Sequence, residues 1–553
     1  MNEPVSQPPH PLPVAARGLD PGARLGIGLV LLLPAVLALG WSYLIPTLLA
    51  IRRSTTRDDL LGSPEGVGGA NYSRILEDGF AGAVGLGLLL AAIPLFLAIV
   101  LAPALALLAR SSGRRTRLIA RILLTLPVAG YAPVAVIVGW RMDRIGGVSV
   151  QEHPVATLIW LTAVTSGGLV LAIATTAYLS ALRTRRAAEA LPAMLTVAGL
   201  LLVGVVAVAL QVFTAPLVVG GSSNLAQRPP LIHVIVVAFN RFDLGSGSAG
   251  AVLLLVPLML LGLVAVGLLL LTRARFEVVD EQAAAGSRPA RVTLLVALLV
   301  LVAVGGWAAW PWLRRSFRFT NEVAPLPPAD LVDTLVATWA PTLLSAVVAV
   351  GLAVVGGFAI GGLRPLGRFS EILLVPFAPW LFVGTGPLAI EAFIRTRDVD
   401  QLNTLTGLIP PGWVSIPALV AFTMLFRGLE PGWRAGGGFG RTMALPALPM
   451  AALAGLLSWL FSAGQVLWPW LVTQGPTARP APLDAVLVAT SARVPADELA
   501  LGAVLPWPVM LLFLAALVGL QLTYLDRLAL RVGAGDRSAG AAGTGRGGQL
   551  VDR

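Results

Sequence analysis

The sequence predicts an all-α polytopic membrane protein of about twelve transmembrane helices, arranged as two six-helix pseudo-repeats. Three observations carry this expectation. Of 553 residues, 56% are hydrophobic and 12% charged, with a mean hydropathy of +0.84, a balance that belongs in a bilayer and not in a water-soluble domain. Apolar runs long enough to cross about 30 Å of hydrocarbon recur along the whole chain. The third observation is that the two halves of the chain repeat one another in order.

Residues 1–23 are Pro-rich and lack the charged, apolar and small-residue succession of a signal peptide, so a disordered tail is expected there. The first half, 24–278, carries apolar runs at 26–51, 82–109, 122–140, 155–182, 191–218 and 249–272. A linker is expected at 279–291. The second half, 292–532, carries runs at 292–313, 335–363, 369–394, 412–426, 442–472 and 499–525, of which 412–426 is the shortest. Residues 533–553 are Gly/Ala/Arg-rich low-complexity sequence, again expected to be disordered.

The repeat is read from short matches. Leu191-Pro192-Ala193-Met194, Gln211-Val212-Phe213 and Gly250-Ala251-Val252-Leu253 reappear as Leu445-Pro446-Ala447-Leu448, Gln465-Val466-Leu467 and Gly502-Ala503-Val504-Leu505, at offsets of 252 to 254. Arg121-Ile-Leu-Leu-Thr-Leu-Pro127 matches Glu371-Ile-Leu-Leu-Val-Pro376 at an offset of 249 between the prolines. Same-order halves in a membrane protein suggest two pseudo-equivalent units around a central path, the architecture of a transporter.

The chain has no Cys, and all 39 of its basic residues are Arg. A P-loop needs its Lys, so ATP hydrolysis, if used, belongs to another subunit and no cofactor is expected in this chain. With the N-terminus inside and twelve crossings, 24 Arg fall on the inner side, which predicts cytoplasmic termini in a multi-pass plasma-membrane protein. The pI near 11.2 then follows from topology and implies no nucleic-acid partner. The three His, at 10, 153 and 233, are expected in a tail and two outer loops without a metal cluster. Trp41, Trp312 and Trp413 read as interfacial anchors.

The first half resembles the permease subunits of binding-protein-dependent ABC importers of the carbohydrate class, related to the maltose and glycerol-phosphate systems. The residues that carry this are Leu31-Leu32-Leu33-Pro34 through Tyr43-Leu44-Ile45-Pro46, Gly69-Ala70-Asn71-Tyr72, Gly113-Arg114-Arg115 before Leu126-Pro127, Trp140, and Gly220-Gly221 followed by Ala238-Phe239 and Gly245-Ser246-Gly247-Ser248-Ala249. The second half is similar to the partner permease through Thr342-Leu343, Leu402-Asn403-Thr404-Leu405-Thr406-Gly407-Leu408-Ile409 and Leu467-Trp468-Pro469. The resemblance implies two fused permease halves, separate ATPase subunits beneath, an extracytoplasmic solute-binding protein above, and a sugar or related polyol as solute.

It also implies two ATPase-coupling loops. In the second half Glu430 and Gly436 keep the family's spacing of six and Leu445-Pro446 supplies its terminal pair, but Pro431-Gly432 and Gly436-Gly437-Gly438 disfavour a helix between them by roughly 1 kcal/mol per Gly. In the first half Arg186 and Glu189 run directly into Leu191-Pro192, leaving no room for a docking helix. The plainer reading is of Arg-rich loops that only set topology. Gln211 and Gln465 are candidates for the translocation path, with interhelical hydrogen bonding as the alternative, and Asn403 is a third, with helix capping as its alternative. Apolar spans almost free of carboxylates, except Glu371 and Glu391 near span ends, speak against an ion-driven carrier. Two other functions stay open beside the importer: a degenerate permease serving as a non-transporting scaffold or receptor, and an ATP-independent secondary carrier.

Overall fold

A computed structural model describes residues 20–58, 65–143, 153–183, 187–220, 228–279, 286–319, 330–475, 478–490 and 499–533. Both expected tails lie largely outside these residues, as does 280–285 of the linker. The first helix begins at Pro21, so the end of the predicted N-terminal tail is helical.

The fold is α-helical and polytopic. Among the described residues nine helices are long and apolar enough to cross a membrane: Gly22–Ser54, Phe80–Ser111, Pro154–Ala181, Ala190–Gly220, Leu244–Thr272, Arg288–Leu313, Leu331–Leu363, Gly440–Ala463 and Trp507–Arg527. A tenth is Arg114–Ala129 with Pro133–Asp143, bent by 73° at the break. Local chemistry sets their ends. Asp330 accepts from the backbone N–H groups of Val332 and Asp333, and Asp243 from that of Ser246, satisfying donors that the first turn cannot. Arg273 and Arg364 end their helices in the left-handed region, at φ of 50° and 52°. Four spans contain a π-helical turn, at Gly40–Leu44, Leu97–Leu101, Phe358–Leu363 and Gly440–Ala444. Pro46, Pro103 and Pro446 sit two residues beyond the first, second and fourth, where the missing N–H disrupts the ordinary ladder.

Several expected spans differ. The run 122–140 breaks at Gly130–Ala132, before Pro133. The run 369–394 is no continuous helix: 3₁₀ turns at Gly367–Leu374, Ala378–Trp380 and Gly386–Leu388 lead into a helix at Ala389–Asp398. Pro376, Pro379 and Pro387 remove the donors that an α-helix needs there. The run 412–426 is the front of a longer helix, Ile416–Arg434, whose last turns carry Arg427, Glu430 and Arg434. The run 442–472 breaks at 464–466, and the fifth span of the first half loosens at 210–213. Both of these breaks fall on the matched glutamines, Gln465 and Gln211.

The halves are interlocked. The first helix of the first half, Gly22–Ser54, packs on Leu331–Leu363 of the second, and Gly28 faces Pro365. Tyr43 donates to Val414 O (3.3 Å), Ser42 Oγ accepts from Trp413 N (3.0 Å), and Trp380 Nε1 donates to Thr47 Oγ1 (3.1 Å). The first helix of the second half, Arg288–Leu313, reciprocates: it lies against 102–111, 114–129 and 133–143. Trp140 Nε1 donates to Ala308 O at 2.8 Å, and Trp140, Trp160 and Trp307 form an edge-to-face trio. The outer face of 288–313, with Leu299 70% exposed, suits lipid. Trp312 is buried at 3% exposure and is not an interfacial anchor, whereas Trp41 is 57% exposed beneath the Arg395 guanidinium.

The last helices also cross over. Leu244–Thr272 packs on the 3₁₀ segment Ala378–Trp380 of the second half, and Trp507–Thr523 packs on Arg114–Ala129 of the first. The first contact is backbone-close: a Cβ on Gly262 would lie 2.1 Å from Ala378 O. Just beyond each last helix comes a short strand, Arg275–Val278 and Leu528–Arg531, and the two pair antiparallel. Arg275 faces Arg531 and Val278 faces Leu528. Shifting each strand by about 253 residues maps this register onto itself.

Candidate functional site

A half-open cavity of about 380 Å³ is lined by residues of both halves. Its walls come from Ala172, Thr176 and Ser180 of Pro154–Ala181, Val197 and Leu201 of Ala187–Ala209, Ala421 and Met424 of Ile416–Arg434, and Leu453 and Leu457 of Leu445–Ala463. One end is floored by the ribbon, through Phe276, Leu528 and Leu530. Gly428 makes that floor possible, since a Cβ there would meet Phe276 O at 1.8 Å.

Nearly every lining residue is hydrocarbon. The polar exceptions are Thr125, Thr176, Ser180 and Gln521. Thr125 Oγ1 donates to Arg121 O (2.8 Å), Ser180 Oγ to Thr176 O (3.2 Å), and Gln521 Oε1 accepts from Arg121 Nη1 (3.0 Å), so most of this polarity is committed within the protein.

A buried ionic layer surrounds the ribbon. Asp526 Oδ1 lies within ion-pair distance of Arg121 Nε (3.0 Å), Arg183 Nη2 (3.1 Å) and Arg117 Nε (3.5 Å), the Arg121 side chain having no solvent exposure. At the matching place in the other half, Glu371 Oε1 lies 3.1 Å from Arg427 Nε and 3.6 Å from Arg364 Nη2, and Arg273 contributes to the field at Arg427. Arg531 and Arg275 both reach Glu277 along the ribbon, at 3.3 and 2.9 Å.

The sequence-selected residues are scattered around this cavity and do not line it. Gln211 ties the halves together: its Nε2 donates to Ala207 O (2.9 Å) and to Phe382 O (2.8 Å), and its Oε1 accepts from Gly384 N (2.8 Å). The amide thereby satisfies backbone groups of the broken third span. Gln465 is exposed, at the break of its own helix. Asn403, at φ of 59°, accepts from the N–H groups of Gln474 (2.6 Å) and Gly475 (2.9 Å) and so pins the segment after Leu467–Val472.

Of the coupling-loop candidates, Arg186 lies outside the described residues, and Glu189 is placed only as backbone of helix Ala187–Ala209, whose early turns expose Leu191 and Pro192. Glu430 is buried in the final turns of Ile416–Arg434, paired with Arg434 and lying 3.8 Å from Arg364. Gly436 follows in the left-handed region at φ of 100° and turns the chain toward Leu445 and Pro446, with Leu445 59% exposed. Residues 435–438 alone separate the two helical stretches, so no transverse helix stands between them.

The opposite end is held by polar contacts that single-residue reading missed. Asn71, fully buried, donates to Ser54 O (3.0 Å) and Thr56 O (2.7 Å), and Tyr72 OH meets Ser54 Oγ at 2.7 Å. Glu391 accepts from Arg53 at 2.7 Å. His233 is not in a loop: it is buried in the helix Pro230–Ile235, with Nε2 3.1 Å from Asp78 Oδ2, which Arg241 also contacts at 2.8 Å. Burial outweighs Asp78 and lowers the His233 pKa. His153 is exposed.

A scan against protein-family models matches none, and no curated protein matches the chain.

Proposed function

We propose that this chain is the fused permease of an importer, two pseudo-equivalent halves forming one solute path that opens alternately to either face of the membrane. The observation that carries the reading is the reciprocal interlock: first helices exchanged, last helices crossed, and terminal strands paired in a register that the repeat offset maps onto itself. Rigid halves joined this way can rock about their common axis. The Arg-rich end is then the cytoplasmic face of the plasma membrane, and the ribbon with its ionic layer is the closed inner gate.

Separate ATPase subunits would supply the drive and a binding protein would deliver the solute, which by the resemblance is a sugar or polyol. The paired state of Glu371 and Glu391 supports this over an ion-driven carrier, which needs a carboxylate that can exchange its ion. The coupling surface favours a second reading, a membrane scaffold or receptor that has lost its drive, because the segment 435–438 is a bare turn. Affinity purification from native membranes decides between them. The importer reading predicts a co-purifying ATPase whose hydrolysis rises with the binding protein; absence of any associated ATPase overturns it.

A further inference from the structure

We propose that this half-open cavity between the halves is a binding site for a single alkyl chain, such as that of a fatty acid. A sugar presents a hydroxyl on almost every carbon, and each one buried without a partner forfeits its hydration. The walls offer no converging set of donors and acceptors to replace that water. Thr125, Ser180 and Gln521 already direct polar atoms to Arg121 and Thr176. The remainder of the lining, including Ile173, Leu201, Met424, Met450, Leu453 and Leu457, is flexible hydrocarbon. Methionine thioethers and leucines conform to a chain without fixing its shape. The volume, about 380 Å³, lies within the range of sites for small organic ligands. The site is distinct from Gln211, Gln465 and Asn403, none of which lines it.

The inference does not require an ATPase, so its failure and that of the importer reading are separable. The test is photolabelling of the intact chain in lipid nanodiscs with diazirine-bearing palmitate, followed by peptide mass spectrometry. Label is expected on Thr176–Ser180 and Leu453–Leu457, competed by unlabelled palmitate but not by maltose. Ala177→Phe and Ala421→Phe should each reduce it at least tenfold, while Leu299→Phe on the lipid-facing helix leaves it unchanged. The same discs carrying diazirine phosphatidylcholine separate the sources: labelling of the cavity by palmitate alone assigns a free single-chain amphiphile, and labelling by both assigns a site that also admits a bilayer lipid's chain. Label distributed along Arg288–Leu313 as strongly as along the cavity, or label that unlabelled palmitate fails to compete on the unaltered chain, overturns the proposal.

Discussion

Replacing Asp526 by Asn removes a carboxylate that Arg121, Arg183 and Arg117 approach at 3.0, 3.1 and 3.5 Å. Breaking a buried ion pair from one side costs about 3–5 kcal/mol, because the remaining charge is left desolvated. Arg121 has no exposure, but Arg117 and Arg183 retain 12% and 15%, so water can relieve part of the loss. The expected destabilisation is therefore about 3 kcal/mol, roughly a hundredfold in the folding equilibrium. Reversible denaturant unfolding in bicelles, followed by tryptophan fluorescence, measures it. Asp526→Asn within about 0.5 kcal/mol of the unaltered chain, the range of ordinary surface changes, would refute the claim that this layer holds the halves together.

Three further outcomes are expected. Gln211→Leu should cost about 1–3 kcal/mol through the orphaned Gly384 N–H and Phe382 carbonyl, whereas Gln465→Leu at its exposed position should change stability by less than about 0.5 kcal/mol; parallel unfolding curves compare them. Gly428→Val should separate the ribbon from helix Ile416–Arg434, since even a Cβ would overlap Phe276 O, and amide exchange at 275–278 and 528–531 should accelerate. His233 has a folded pKa below its unfolded value of about 6.5, so its contribution is present above that value and is lost as pH falls toward the folded pKa. An unfolding series from pH 7.5 to 5 should show this loss, and His233→Gln should flatten it.

Much of the membrane frame is legible in the sequence, because a run of 18 apolar residues has few alternatives to a spanning helix. The breaks are legible in principle too. Pro376, Pro379 and Pro387 forbid a regular helix through 369–394, but apolarity alone does not register the missing donors. The interlock is not legible. Packing of Gly22–Ser54 on the second half depends on small contacts such as Gly28 at Pro365 and Ser42 at Trp413, which no periodicity encodes. Strands of four residues, Arg275–Val278 and Leu528–Arg531, give too short a pattern to distinguish from helix ends. Gln211 and Gln465 stand out as a repeated polar position, and the helix breaks there; that Gln211 serves the backbone of the other half could not be read from either copy. Asn71 is visible as part of a short motif, while its reason, two buried carbonyls at Ser54 and Thr56, exists only in three dimensions.

The central claim is that the two halves meet at the ribbon in this register. The chain contains no Cys, so paired cysteines report on it without background. Facing residues of an antiparallel pair stand about 4.5–5.5 Å apart at Cα, within disulfide reach. Phe276→Cys with Leu530→Cys, facing positions in the register, should form an intramolecular disulfide on mild oxidation in native membranes, detected by peptide mass spectrometry. Phe276→Cys with Leu528→Cys should form little. Equal yields from the two pairs, or no disulfide from the facing pair, would contradict the ribbon and the permease architecture built upon it.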